Sequence, residues 1–531
     1  MVLPAQLLHF LMNSNFKFIT QDQYNLLCKK CKNILNTKSS TLILVAIPWM
    51  HPIREHPIFL ERYKGLFFKK KIFSTFYLNL KCKIKNYLIW IRQIYRSFYS
   101  INSYWYTNDT IQAEVDCLFI SHILNSSQLE SIDDFYFSNI PSDLIKGNYS
   151  VLIGYINSLN FSDRNIQKSI INTPYSKVYF STTLNILKEL SIRKLIRIES
   201  RKLKSNSNFN SDELTKNIYN YASKIIYNGE TQAMLRLYEQ VRSLVRKCNP
   251  KTIISLYEGH AYERILMAAA RSINPNIVCI SYQHTGTFRL SNAIKQQLHP
   301  QYNPDIIFTS GIECKELLSK LDIFVNTHIE VLGSIRGLDN LIRKKSKITD
   351  QFNCLVIPEG IIAECLLLFK FSLDCALINP KINFIWRLHP GVDFGDLKSR
   401  EKKFINLPSN IILSEQSLEN DIELCNWVLY RGTTAIFKAI SYGLRPFYLR
   451  NKGELTIDPL FNLNEWRIII DNQLTFLEVV NKDIRSNFNT FSYNHDLAIQ
   501  LCEQRFSKLN IDVLDKYLKM KLHFIARSNL N

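Results

Sequence analysis

Residues 427–449 read WVLYRGTTAIFKAISYGLRPFYL. The run 427–430 is apolar and aromatic and stops at Arg431-Gly432-Thr433-Thr434, a helical stretch follows over 434–442, and a second apolar run occupies 446–449. A short apolar run bounded by turn residues reads as a buried strand. The segment is therefore strand, turn, helix, strand, the repeating unit of a parallel sheet. The turn brings free backbone amides and the positive end of a helix together, which is an anion site. The hydroxyls of Thr433 and Thr434 can add hydrogen bonds to a phosphate at Gly432, and a plain helix cap is the alternative reading of a Thr there.

The same grammar extends outward. Strands are predicted at 353–357 (NCLVI), 383–387 (NFIWR), 410–413 (NIIL) and 467–470 (RIII), and helices at 361–378, 474–481 and 495–521. Open α/β sheets bind ligands at the carboxyl ends of their strands. Two further groups fall there. In Arg387-Leu388-His389-Pro390-Gly391, Arg387 and His389 can donate to phosphate oxygens and Pro390 fixes the turn. In Pro358-Glu359-Gly360, Gly360 permits close backbone approach to a ligand and Glu359 sits at a helix start.

Upstream lies a second βα series. Strands are predicted at 115–120 (VDCLFI), 150–154, 252–257, 276–282, 305–309 and 329–332, and helices at 211–248, 260–272 and 312–320. Tyr257-Glu258-Gly259-His260 and Tyr282-Gln283-His284-Thr285-Gly286 both follow strands. Glu258 or His284 is then placed to take a proton from an acceptor hydroxyl; a helix-start carboxylate and a loop-ordering imidazole are the plainer readings. His122 also falls at a strand end, and Asp133 and Asp134 read as turn or helix caps. The run TLILVAIP (41–48) reads as one more buried strand. Residues 333–350 lose apolar pattern, gain charge and read as a linker. The expected division is 1–340 for the first Rossmann-like half and 341–505 for the second, with 506–531 a terminal helix that packs back on the first.

Bulk properties agree with this plan. A chain of 531 residues is too long for one core. With 46% apolar and 21% charged residues it is not a disordered chain. The 12 cysteines are scattered, and Cys28/Cys31 is the one CxxC, with no second pair to complete a zinc site. That pattern, the lack of a charged n-region and the lack of an 18-residue apolar stretch predict a cytoplasmic protein with no membrane-spanning helix. The formal net charge of +20 suits anionic partners: nucleotide phosphates, anionic lipid, acidic polymer or nucleic acid. Ten Lys and Arg residues and no acid lie between Arg62 and Arg96, interleaved with aromatics. Helical spacing puts Leu80, Ile84, Leu88, Ile91 and Tyr95 on one face. The basic aromatic segment 62–100 therefore reads either as a helix lying on the inner face of an anionic membrane or as an ordinary helix docked on the domain. No nucleic-acid-binding module is recognisable, so nucleic acid is not an expected partner.

The pieces YEGHAYERILMAAA (257–270), CISYQHTGTFRLS (279–291), LVIPEGIIAECLLL (355–368), IWRLHPG (385–391) and YRGTTAIFKAISYGLRPFYL (430–449) together resemble bacterial surface carbohydrate (capsule or lipopolysaccharide) biosynthesis glycosyltransferases. More distantly they resemble sialyl-, polysialyl- and Kdo-transferases. The resemblance covers about 250 to 461 and implies a GT-B fold, two Rossmann-like domains facing each other across a cleft. It implies transfer of a sugar, such as a CMP-activated acidic sugar, from a nucleotide donor to a surface polysaccharide or lipid-linked glycan. His389, Thr433 and Thr434 would contact the donor phosphate, Glu454 in GELTIDP would touch the donor, and Glu258 would be the base. The acidic motif of the sialyltransferases has two acids before Gly, whereas this chain has Tyr257-Glu258-Gly259. His284 is the competing base, by likeness to transferases that use CDP-glycerol. Such enzymes need no bound metal or cofactor and stabilise the leaving group with a helix end, His and Arg. A nucleotide-sugar epimerase of the same fold and a non-catalytic glycan-assembly protein are the alternatives.

Overall fold

The computed structural model describes residues 18–68, 72–99, 104–107, 110–124, 128, 131–157, 174–209, 212–321, 324–334, 352–486 and 491–528. The first sheet holds β1 (Trp105–Tyr106), β2 (Cys117–Ile123), β3 (Val151–Asn157), β4 (Ser176–Phe180), β5 (Thr252–Leu256), β6 (Val278–Gln283), β7 (Ile306–Thr309) and β8 (His328–Val331). Its order is β1-β4-β3-β2-β5-β6-β7-β8, with every pairing parallel except β1 on β4. The second sheet holds β9 (Phe352–Ile357), β10 (Ile382–Trp386), β11 (Ile411–Leu413), β12 (Trp427–Tyr430), β13 (Arg445–Leu449) and β14 (Ile468–Ile470). Its order is β11-β10-β9-β12-β13-β14, all parallel. The fold is therefore α/β and GT-B-like, a sheet of eight strands followed by a sheet of six.

Both sheets are doubly wound, and among the parallel strands each reverses its order once. The reversal falls between β2 and β5 in the first sheet and between β9 and β12 in the second. The loops leaving those strand ends diverge to opposite faces and open a crevice, which is where such sheets bind ligands. The central strands are buried on both faces; β5, β6 and β12 have no exposed residue, as parallel strands covered by helices require.

Three sequence expectations are corrected. The single helix expected over 211–248 is two, Glu213–Ile225 and Gly229–Cys248, with Asn228 in extended conformation as the N-cap of the second. The run 41–48 is not a strand: Leu42–Val45 is a helical turn and Pro48–Met50 a 3₁₀ turn. Thr41 caps the first turn, its hydroxyl accepting from the Leu44 amide at 3.2 Å, and Pro48 opens the second from a helix N-terminal position. The apolar side chains are buried all the same: Val45, Ala46 and Ile47 pack among helices rather than against a sheet edge. The single helix expected over 495–521 is two, Phe491–Arg505 and Ile511–Ser528. Between them the chain passes the edge of the first sheet, with the Ser507 amide donating to Ser310 O and the Ser334 amide to Ser507 O, both at 2.9 Å. Leu514 and Leu518 of the last helix are then buried with β2, β3 and β6 side chains. Of the expected linker 333–350, the part beyond Ser334 lies outside the described residues.

Candidate functional site

In the second half, Tyr430 of β12 pairs in register with Ile357 of β9. Two residues on, Glu359 and Gly432 therefore face each other across the crevice. Gly432 has φ +58°, and a Cβ there would lie 2.4 Å from Glu359 Oε2. Only glycine meets both demands. Gly360 does the same for the third loop: a Cβ on it would come within 2.6 Å of His389 Nδ1. The His389 ring thus lies against bare backbone. Its Nδ1 accepts a hydrogen bond from the Gly391 amide at 3.1 Å, which leaves Nε2 as the protonated nitrogen of the neutral ring. Loss of water around the ring holds its pKa below the ordinary imidazole value, against the pull of Glu359. His389 therefore presents one N–H donor at the crevice mouth. Thr433 Oγ1 accepts from the Ala435 amide at 3.3 Å, so it caps the short helix Ala435–Ser441, and Thr434 occupies the N-cap position.

Two predicted donor-binding residues have other partners. Arg387 Nη1 donates to Gln416 O at 2.6 Å and to Asp421 at 2.8 Å, so it ties β10 to the loop after β11. Glu454 pairs with Arg431, a fully buried guanidinium that also holds Glu364 at 2.6 Å and donates to Leu449 O at 2.6 Å. Both carboxylates are needed to keep that charge in the interior. Glu454 anchors the loop behind Gly432, and burial pushes its pKa up despite Arg431. Pro390 follows His389 on the exposed loop.

In the first half the same register logic holds. Leu256 of β5 pairs with Tyr282 of β6, so Glu258 and His284 sit side by side at the strand ends. Glu258 Oε1 accepts from the Thr285 hydroxyl at 2.6 Å, and Oε2 lies 3.3 Å from His260 Nε2. Burial alone would raise its pKa, but His260, His284 and Thr285 hold it far below the carboxylate range. His260 moves the other way: against its burial, the bond to Glu258 and the charge of Glu263 raise it. The two lie as an acid–base pair, Glu258 Oε2 against His260 Nε2 at 3.3 Å. Glu263 is the carboxylate beneath them, accepting from the amides of Glu258, Gly259 and His260 at 2.7–3.0 Å. His122 completes the cluster, its ring 4.7 Å from Tyr262 and its pKa pushed down to about 4 by burial. His284 is buried edge-on to Tyr136 at 5.2 Å. Asp134 accepts from the amides of Tyr136 and Phe137 at 2.8 Å, as a turn cap does. Among the described residues no group of three His, Cys, Asp or Glu side chains is placed to hold a metal ion.

The residue that joins the two crevices went unread in the sequence. Arg54 lies in His51-Pro52-Ile53-Arg54-Glu55-His56-Pro57, a segment dense in charge and imidazole between prolines, and that density was the available signal. The segment belongs to the first half: Asn292 donates from its amide to Ile53 O and from its side chain to Pro52 O, both at 2.8 Å, and the Leu290 amide donates to Glu55 at 2.9 Å. Arg54 reaches across, Nη2 to Glu359 Oε1 at 2.8 Å, with its guanidinium 3.9 Å over the Phe288 ring. It lines one cavity with Glu258, Thr285 and Phe288. His56 Nδ1 accepts from the Ile58 amide and its Nε2 meets Glu359 Oε2 at 2.9 Å. Although Glu359 is largely buried, His56 and Arg54 beside it bring its pKa down to about 2.

No family model matches the chain, and no curated protein does. Among solved structures, the UDP-GlcNAc 2-epimerase of Neisseria meningitidis bound to UDP-GlcNAc is 12% identical, covering 76% of this chain and 100% of that one at a TM-score of 0.44. MnaA of S. aureus, solved with UDP, is 12% identical over 77% of this chain and 97% of that one, at 0.45. MurG of Acinetobacter baumannii is 10% identical over 76% and 99%, at 0.42. At such identities and scores these likenesses say nothing of residue roles in this chain.

Proposed function

We propose that this protein is a nucleotide-sugar enzyme, and specifically a metal-independent glycosyltransferase. The observation that carries the reading is the pairing of two switch-point crevices, one with phosphate-binding chemistry and one with acid–base chemistry, joined through Arg54 and Glu359. The donor's phosphates would take the second crevice, held by the Nε2–H of His389, the backbone at Gly360 and Gly432, and Thr433 and Thr434. The acceptor hydroxyl would lie in the first, where Glu258 or His284 removes its proton as the sugar–phosphate bond breaks. The proton ends on the base and the negative charge on the departing nucleotide. The sequence likeness favours a CMP-activated acidic sugar, such as Kdo or a sialic-acid-like sugar, and a surface polysaccharide or lipopolysaccharide acceptor.

The test is thermal stabilisation by CMP, CDP, UDP and GDP. At a hundredfold excess over its dissociation constant the true nucleotide adds about 2.7 kcal/mol. A response to none of the four would sink the reading. His389→Ala should lose that stabilisation with the free protein's melting midpoint unchanged. Glu258→Gln should keep it while turnover falls by roughly 10²–10⁴.

A second reading has its own support. The first crevice holds three imidazoles, His122, His260 and His284, around Glu258, more acid–base equipment than one deprotonation needs. That suits an epimerase acting on a nucleotide sugar without an acceptor. Solvent deuterium entering the sugar of a donor incubated alone would select this reading over transfer.

A further inference from the structure

From Ile84 onward, where its side chains are described, helix Ile72–Tyr99 does not dock on the domain by the apolar stripe its spacing suggests. The opposite side packs: Asn86 donates to Asn228 at 2.9 Å, the Arg193 guanidinium lies 5.2 Å from the Trp90 ring, and Ser97 is buried. Ile84, Leu88, Ile91 and Phe98 lie on the other side and are 44–58% exposed, and Tyr87, which also touches the Trp90 ring at 5.8 Å, and Tyr95 beside them are 55% and 62% exposed. They recur at i, i+3, i+4, i+7, i+11 and i+14, a single stripe along one face.

The helix it touches, Ile186–Phe209, shows the same inversion. Ile192, Ile196 and Leu203 are buried on one side. On the other, Leu187, Leu190 and Ile198 are 41–76% exposed and alternate with exposed Lys194, Arg197 and Arg201. Its two acids, Glu189 and Glu199, are buried, the first paired with Arg236 at 2.6 Å. Helix Ile72–Tyr99 contains no acid at all. Each helix thus offers water a side of aliphatic or aromatic side chains, and the exposed charged residues of both helices are cations.

A soluble surface rarely leaves so much apolar area uncovered. The charge complement is anionic. A nucleic acid groove would use the cations and aromatics but has no use for Ile84, Leu88, Ile91, Leu187, Leu190 and Ile198. A bilayer uses all of them: aliphatic groups enter the acyl boundary, Tyr and Phe sit at the headgroup level, and Arg and Lys meet lipid phosphates. We infer that helices Ile72–Tyr99 and Ile186–Phe209 together form a docking face for an anionic lipid bilayer, on which the protein lies without spanning it. The inference stands apart from which sugar reaction the cleft runs.

Co-sedimentation of the full chain with vesicles tests it. The protein should pellet with phosphatidylcholine–phosphatidylglycerol vesicles and stay in solution with phosphatidylcholine alone. Leu88→Asp/Ile91→Asp should weaken partitioning by at least about tenfold, since each side chain then leaves the acyl boundary, with the melting midpoint unchanged because both are exposed. Arg197→Glu/Arg201→Glu should abolish the preference for the anionic vesicles. Absence of binding to either vesicle, unchanged binding by both variants, or tighter binding to single-stranded RNA at the same salt that the same variants remove, would each overturn the inference.

Discussion

Gly432 is the residue on which the second crevice closes. Its positive φ and the 2.4 Å gap between an added Cβ and Glu359 Oε2 mean that alanine must twist the backbone or push the carboxylate aside. Gly432→Ala should cost about 1–3 kcal/mol in chemical denaturation. It should also reduce nucleotide stabilisation, because the loop amides move with the backbone. Unchanged denaturation would mean that Glu359 has room to retreat. At the same scale, the tautomer of His389 follows from one hydrogen bond to Nδ1, and it decides that the imidazole donates rather than accepts at the crevice mouth.

At the scale of elements, the arm 51–57 is the piece that makes one site of two crevices. Its contact with Glu359 is electrostatic, so it has a pH signature. Burial opposes ionisation of Glu359, and His56 and Arg54 overcome it, setting its pKa at about 2 against an ordinary 4.5. A carboxyl whose folded value lies below its unfolded value stabilises the fold above the unfolded value and loses that contribution as pH falls. The clamp should therefore weaken between pH 4.5 and 2. Glu359→Gln should lower the melting midpoint at neutral pH and flatten its fall across that acid range; an identical acid profile in the variant would deny the clamp its role. The arm also shows what the residues could tell in advance. The alternation of strands and helices was legible, because apolar runs stopped by Gly, Thr or Pro repeat from 115 to 470, and so were the loops that line both crevices. Arg54 was not, since its partner lies 305 residues away and no local pattern points there. The run 41–48 was misread because the six consecutive apolar residues 42–47 carry no period, although Thr41 and Pro48 are helix-start signals. Arg387 lies where the strand-end rule puts it and Glu454 was singled out by the family resemblance, but whether a guanidinium or carboxylate serves a ligand or a neighbour depends on Asp421 and Arg431, which only the tertiary structure brings near.

At the scale of the molecule, the halves are held by more than the arm. Arg505, buried after the second half, pairs with Glu313 of the first at 2.9 Å through Nη2 and donates from Nη1 to Thr287 O at 2.6 Å. Arg505→Ala leaves these acceptors facing each other without a cation, and should cost roughly 3–5 kcal/mol by denaturant unfolding. A loss well under that would show that Glu313, which is partly exposed, is satisfied by water.

Ser334, the last described residue of the first half before Phe352, and Ser507, which follows the second half, are hydrogen-bonded neighbours at 2.9 Å. The two points of the first half that flank the second are thus fastened side by side. The first half is thereby closed on itself across the excursion, and the clamp of Arg54 on Glu359 joins two bodies rather than completing either.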